Sequence, residues 1–160
     1  MTDKSDIRNR AEGAMVGALI GDALGLGPHW YYDLEQMRKD YGSWIDGYTD
    51  PKPGRYHIWR AAKDPDVNID PAWKVSLVYG MPCSIVCMLP AAYYLAARYQ
   101  DDFEQAVLHA VNGGGQNMSR AMLTGALVGA QVGLSGIPRR FIGGLSDSGA
   151  ILALAEKVAA

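Results

Sequence analysis

The chain has 160 residues, an apolar content of 49% and a formal net charge of -2. This size and composition fit one compact domain with a core of its own. Its 15 Lys and Arg residues are scattered along the chain. They form no basic face for a nucleic acid or an anionic membrane, so we expect neither as a partner.

The first predicted element is a helix over residues 5–24, where apolar residues recur at spacings of three and four after Ser5 or Asp6 as N-cap. Glycines follow one another along it at intervals of four, namely Gly13, Gly17, Gly21 and Gly25. Each interior glycine costs about 1 kcal/mol relative to alanine. This glycine ladder therefore predicts a second helix that approaches at short distance.

Residues 28–59 are rich in aromatic side chains and hold eight of the 13 Trp and Tyr residues. We predict a short helix over residues 33–41 and then an irregular run, GYTDPKPGRYH, in which two prolines force extended backbone. Aromatic loops of this kind either lie flat over a core or stack sugars and bases, and the first role is the more common. The following run, DPDVNIDP at residues 64–71, is expected to make turns and to cap a helix.

Three helices are predicted in the middle of the chain. The first two cover residues 72–79 and 83–99, and the second is interrupted or kinked near Pro90. The third begins after Asp101 or Asp102 and ends at Asn112. His109 falls outside the apolar stripe of this third helix and is expected to be exposed.

The two cysteines, Cys83 and Cys87, lie four positions apart on one face of a predicted helix. Zinc needs about four ligands, and the three histidines are distant in sequence, so we expect buried free thiols. The start of the chain, MTDKSDIRNRAEG, has no apolar signal-peptide region. Both observations predict a reducing compartment, the cytoplasm.

The stretch NGGGQNMSR, from Asn112 to Arg120, links the third helix to the next one. We expect Asn112 and Gly113 to close the incoming helix in left-handed conformations, and Asn117 or Ser119 to cap the outgoing helix. Three consecutive glycines exceed this need, because bare backbone lets N–H groups at a helix start face an anion such as phosphate. The candidate binding residues are therefore Gly113, Gly114, Gly115, Gln116, Asn117 and Ser119.

Residues 121–138 carry no charge over nearly the length of a membrane span. Gly, Ala, Ser, Thr and Gln dominate the segment, so a buried helix is the better interpretation. Its GALVGAQVG repeats the pattern of GAMVGALIG in the first helix, which predicts that the two helices pack closely. A last helix is predicted over residues 147–158. No window alternates with period two, so the predicted fold is all-α, an orthogonally packed helical bundle.

Two motifs in this order resemble the ADP-ribosylglycohydrolase family. GAMVGALIGDALG at residues 13–25 resembles the family's opening helix, and NGGGQNMSRAMLTGALVGAQVGLSGIP at residues 112–138 resembles its Gly-Gly-Asp-x-Asp-Thr loop and the helix that follows. The resemblance covers residues 1–57 and 61–160, as the two ends of a longer family domain. It implies a single, shortened helical domain, 1–160. For active members it implies hydrolysis of ADP-ribose glycosidic bonds with two divalent cations, Mg²⁺ or Mn²⁺.

The residues at the family's metal-binding positions differ in this chain. Gln116 and Met118 stand where the loop has its aspartates, and hard cations avoid the thioether of methionine. The family's early Thr-Asp-Asp-Thr motif is missing, and Pro28, His29 and Trp30 stand where a Pro-x-Glu is usual. We therefore expect no metal cofactor.

Asp22 is retained in the matching Gly-Asp pair. It is the only candidate catalytic residue. An alternative role for it is that of a buried hydrogen-bond anchor.

Two functions follow from the resemblance. The first is a hydrolase of ADP-ribose linkages, with weak activity or none. The second is a non-enzymatic protein, either a crystallin-like structural protein or a pseudoenzyme that binds ADP-ribose or a related nucleotide. The missing carboxylates favour the second. Exposed apolar surface left by a shortened domain also predicts association with a second copy.

Overall fold

The structure is a computed structural model that describes residues 3–52 and 69–160. Every regular secondary-structure element within these two ranges is a helix, which confirms the predicted all-α class. Parts of GYTDPKPGRYH and DPDVNIDP, with His57, lie outside the described residues. The described α-helices are α1 Lys4–Gly25, α2 Leu34–Tyr41, α3 Val75–Tyr79, α4 Ile85–Arg98, α5 Phe103–Asn112, α6 Asn117–Val132, α7 Arg139–Gly143 and α8 Ser148–Val158.

The two glycine-bearing helices, α1 and α6, lie side by side along most of their length. A Cβ added at a glycine of the α1 ladder would overlap the backbone of α6, in the pairs Gly13 with Gly129, Gly17 with Gly125 and Gly21 with Ala121. Because the residue numbers rise along α1 as they fall along α6, the two helices are antiparallel. The predicted contact between the two ladders is confirmed, although for this pair the axes run alongside each other instead of crossing.

The α1–α6 contact also accounts for the uncharged character of α6 after Arg120. Its small residues face the backbone of α1, where any larger side chain would hold the two helices apart. Within the two described ranges, no helix combines the length and the apolar character that a membrane span requires.

Acidic N-caps define the starts of three helices. The Asp33 carboxylate accepts hydrogen bonds from two backbone N–H groups of α2, and Asp102 accepts one from the third residue of α5. The cap at Asp102 confirms one of the two predicted residues, whereas Asp33 is predicted only as the first residue of its helix. For α1 the predicted caps are wrong, because Asp3 lies further upstream and accepts hydrogen bonds from the N–H of Ser5 (3.3 Å) and its hydroxyl (2.5 Å). Ser5 and Asp6 are therefore already inside the helix.

The helix α4 continues through Pro90 without interruption. Proline has no N–H group, so the carbonyl of Val86 loses its helical partner, and Val86 lies on an exposed face. Cys83 and Cys87 are both free thiols, as predicted. The expectation that both are buried is wrong for Cys83, which precedes the helix and is exposed.

The helix α5 lies at the centre of the core, and every residue from 106 to 112 is buried. The Asn112 side chain accepts a hydrogen bond from the Ile45 N–H (2.9 Å) and donates one to the Ile45 carbonyl (2.8 Å). His109 is only 7% exposed. Its ring stacks on Tyr99 at 5.2 Å and meets Trp44 edge-on at 4.9 Å. The predicted exposure of His109 is therefore wrong, because α5 is covered on several sides and not along one stripe.

Candidate functional site

The candidate site is built around the turn that joins α5 to α6. Gly114 and Gly115 both have a φ of +63°, a conformation that favours glycine, whereas Gly113 has a φ of -75°. The predicted left-handed conformations at Asn112 and Gly113 are therefore wrong, since α5 continues through Asn112 and the reversal occurs two residues later. Gly113 is needed for a different reason. A Cβ there would meet the Arg120 guanidinium and the Ser76 hydroxyl.

Three consecutive backbone N–H groups of the turn donate to carbonyl groups of the protein. Gly114 donates to Val111 (3.3 Å), Gly115 to Tyr31 (2.6 Å) and Gln116 to Met81 (2.9 Å). None of these three groups is directed at a ligand, so the expected anion cradle of glycine N–H groups is wrong. The glycines instead let the turn press against neighbouring backbone. They fix the position at which α6 begins.

The Arg120 side chain stabilises this turn through hydrogen bonds to backbone carbonyl groups. It is fully buried, and it donates through Nε (3.1 Å) and Nη2 (2.9 Å) to the Ala110 carbonyl and through Nη2 (2.7 Å) to the Gly114 carbonyl. These carbonyls lie at the C-terminal end of α5, where the helix dipole favours a cation. Burial lowers the pKa of Arg120 to about 10, so the side chain stays charged at neutral pH. Its Nη1 atom has no hydrogen-bond partner.

The first turn of α6 has no side-chain cap. Gln116 occupies the N-cap position, but its Oε1 accepts a hydrogen bond from the Trp30 indole N–H (2.6 Å) and its Nε2 donates to the Ser119 hydroxyl (3.1 Å). Asn117 donates instead to the Val111 carbonyl (3.2 Å). The predicted capping by Asn117 or Ser119 is therefore wrong. The backbone N–H groups of residues 117–119 are left without an intrahelical acceptor.

Two ring side chains lie beside this helix start. Trp30 is 43% exposed, has a φ of +64°, and stacks on His29 with ring centroids 4.8 Å apart. A left-handed conformation is rare for a bulky residue, so the surrounding contacts must hold Trp30 in place. In the sequence alone, Trp30 stands out only because it departs from a family motif. The aromatic-rich composition of residues 28–59 was the one signal that pointed to it.

His29 and Asn117 form a polar pair at the start of α6. Neither His29 Nδ1 nor the fully buried Asn117 Oδ1 has a hydrogen-bond partner of good geometry. Burial lowers the pKa of His29, while the adjacent Asn117 amide and the Asp22 carboxylate act in the opposite direction. The structure thus places His29, in the loop after α1, beside Asn117 at the start of α6, and it places the Asp22 charge within electrostatic range of His29.

Asp22 is partly buried near the C-terminal end of α1. Its carboxylate influences His29 through space. It takes part in none of the hydrogen bonds of the described chain, so the alternative role as a buried anchor is wrong.

The side chains at the turn do not fit a pair of divalent cations. The Gln116 oxygen is already engaged by Trp30, and the Met118 backbone packs against Gly25. Within residues 3–52 and 69–160, no group of three or more His, Cys, Asp and Glu side chains is arranged to hold a metal ion. Mg²⁺ takes oxygen ligands and is usually held by carboxylates. The described residues at this turn therefore supply no ligand set for the family's metal chemistry.

Comparison with protein-family models gives a match to the ADP-ribosylglycohydrolase model in two segments, residues 3–65 and 56–160. No curated protein and no solved structure matches the chain. The matched segments contain α1 with its glycine ladder, the Trp30 loop, the glycine turn and α6. The chain belongs to the ADP-ribosylglycohydrolase family.

Proposed function

We propose that the chain binds ADP-ribose or a related nucleotide at the start of α6 and hydrolyses ADP-ribose glycosidic linkages weakly or not at all. One observation carries this proposal: the uncapped first turn of α6 lies next to the exposed ring of Trp30. Free N–H groups at a helix start suit a diphosphate. The face of an indole suits a planar base.

Each candidate residue has a role in this proposal. Gly113, Gly114 and Gly115 shape the turn, and the N–H group of Ser119 takes a phosphate oxygen, because Asn117 is buried and the Met118 backbone packs against Gly25. Gln116 holds the Trp30 indole and, with Ser119, offers polar contacts to a ribose. Asn117, which is buried, and His29, which is half-buried, line the inner side of the site.

Weak or absent hydrolysis follows from the side chains that replace the family's carboxylates. An amide at Gln116 and a thioether at Met118 neither hold a hard cation nor activate water. Asp22 and His29 remain near the start of α6, and the described residues place no group of three or more His, Cys, Asp and Glu side chains there. By family the chain would be a hydrolase of ADP-ribose glycosidic bonds. Its described residues favour a pseudoenzyme.

Calorimetric titration with ADP-ribose, with and without Mg²⁺, tests this function. We expect binding that does not depend on Mg²⁺, together with no release of ADP-ribose from modified arginine. Trp30→Ala should weaken binding about tenfold or more, because base–aromatic stacking contributes about 1–3 kcal/mol per base. Trp44→Phe is the matched control, since Trp44 packs on His109 in a different cluster, and it should bind as the parent does.

Three results would decide against parts of this proposal. Metal-dependent release of ADP-ribose would show a working hydrolase and reject the pseudoenzyme. Equal affinity of Trp30→Ala and the parent would reject the stacking role. Absence of any binding would leave the second candidate, a crystallin-like structural protein. The exposed free thiol at Cys83 supports a reducing compartment, and on that ground we propose the cytoplasm.

A further inference from the structure

The His29 ring has one nitrogen directed into the protein and one that is open. Asn117 acts on the ring as a hydrogen-bonding partner, and the buried atoms of this pair are His29 Nδ1 and Asn117 Oδ1. The orientation of the amide is fixed, because Asn117 Nδ2 donates to the Val111 carbonyl (3.2 Å). Nδ1 therefore faces an oxygen that can only accept, and the proton of the neutral ring lies on Nδ1.

The second ring nitrogen, Nε2, is available to a ligand. Of the two ring nitrogens only Nδ1 is both buried and unpartnered, and no hydrogen bond between described residues involves Nε2. Because Nδ1 already carries the proton of the neutral ring, a second proton enters at Nε2. The ring then becomes a cation whose Nε2–H group is open to an anion.

His29 lies close to the proposed ligand site. Its ring stacks on Trp30 with the two ring planes 28° apart. The Trp30 indole donates to Gln116 (2.6 Å), and the Gln116 amide donates to the Ser119 hydroxyl (3.1 Å). These hydrogen bonds connect the ring that covers His29 with the residue whose N–H group takes a phosphate oxygen. The contact with Asn117 also places His29 beside the first turn of α6.

The charges around His29 leave a diphosphate without a permanent cationic partner. Among the described residues, Asp22 on α1 is the one charged group that acts on the ring, and it is an anion. Arg120 lies one turn further along α6, but it is fully buried and donates to carbonyl groups of the α5–α6 turn. A proton on His29 is therefore the positive charge that the described site can supply to a bound anion.

We propose that His29 binds the diphosphate of the ligand through Nε2 as an imidazolium, so that the chain takes up one proton when it binds ADP-ribose. The inference rests on the proposed function, since it concerns the same site. Burial lowers the pKa of His29 in the free protein, so the ring is mainly neutral at pH 7. A bound diphosphate favours the charged form. The affinity therefore rises as the pH falls, until the ring is already charged in the free protein.

Calorimetric titration with ADP-ribose between about pH 5.5 and about pH 7.5 tests this inference, because no group of ADP-ribose itself takes up a proton in this range. The affinity of the parent protein should rise about fivefold or more from the upper to the lower pH, within the limit of about tenfold per pH unit that one proton sets. His29→Gln does not titrate, so it should bind more weakly and equally at both pH values. His109→Phe is the matched control, since it removes the other described histidine, and it should keep the pH dependence.

Nuclear magnetic resonance provides a second measurement that needs no variant. The ring protons of His29 should titrate at a higher pH with ADP-ribose bound than in the free protein, and circular dichroism at the lower pH checks that the helices persist. Equal affinity of the parent at both pH values, or a pH dependence that persists in His29→Gln, would overturn the inference and leave the binding of ADP-ribose intact. Absence of binding at every pH would reject the proposed function as well.

Discussion

Arg120 is an uncommon residue for a protein core, because its charge is fully buried and none of its described hydrogen bonds is to a carboxylate. Two carbonyl groups at the end of α5 offset part of the desolvation cost. The same carbonyls would be unsatisfied without the guanidinium, and an unsatisfied buried polar group costs about 1–3 kcal/mol. Arg120 thus holds the turn between α5 and α6 in the one shape that places α6 against α1.

Replacing Arg120 tests this role. Arg120→Met should lower the free energy of unfolding by about 2–4 kcal/mol, because the loss of two carbonyl partners outweighs the relief of a buried charge. Urea unfolding followed by circular dichroism gives the value. Arg139→Met, at an exposed position, should change it by less than about 0.5 kcal/mol. A stable Arg120→Met variant would mean that the turn closes without the guanidinium.

His109 makes the fold sensitive to acid. Burial lowers its pKa, and the nearby Arg98 lowers it further, while Asp70 acts in the opposite direction. The unfolded chain therefore binds a proton at this residue more readily than the folded chain does. The free energy of unfolding should fall as the pH drops below the ordinary value of 6.5, until the pH reaches the lower folded pKa. Each unit of difference between the two pKa values contributes about 1.4 kcal/mol.

His109→Phe should flatten this acid dependence, because phenylalanine keeps the contacts with Tyr99 and Trp44 but carries no titratable group. Urea unfolding at several values between pH 7 and pH 5 measures the slope. His29 also titrates below its usual range and remains in the variant, so a smaller slope is expected to persist. An unchanged slope would locate the acid sensitivity elsewhere.

At the scale of elements, the contact between α1 and α6 depends on bare backbone. The overlap that any Cβ would create at Gly17 involves the Gly125 carbonyl and the Phe103 ring, and a carbonyl of a packed helix does not move easily. Alanine is the better helix former by about 1 kcal/mol, so isolated propensity alone predicts that Gly17→Ala is stabilising. The overlap with the backbone of α6 makes the same substitution destabilising instead.

Gly17→Ala should therefore lower the free energy of unfolding by about 1–3 kcal/mol or more, the usual cost of an overpacked core. Gly149→Ala is the matched control within α8, because a Cβ there meets no atom within 4 Å. That variant should leave the protein unchanged or stabilise it by up to about 1 kcal/mol. Thermal unfolding of the two variants gives the comparison. A stabilised Gly17→Ala variant would contradict the close approach.

At the scale of the whole molecule, local signals predicted the helices and the close approach of α1 and α6, because a cap such as Asp102 and a glycine repeat are both visible within one helix. Contacts from distant segments decided the rest. His109 is buried because Trp44 and Tyr99 cover it, and the shape of the glycine turn depends on Tyr31 and on Arg120. Trp44 and Tyr31 are distant in sequence from the residues that they contact, so no local pattern indicates them. The division of the chain into family ends at residues 1–57 and 61–160 stays a prediction, because the join falls outside the described residues.

The pairing of α1 with α6 also has a consequence for the order of events during synthesis. Its residues lie far apart along the chain, and the flanking hydrogen bond from Asn9 to Ser135 spans 126 positions. During synthesis α1 therefore leaves the ribosome well before α6, which covers its glycine face. Contacts of such long range slow folding and prolong the exposure of apolar surface. The glycine face of α1 in the nascent chain is thus exposed until α6 has been synthesised.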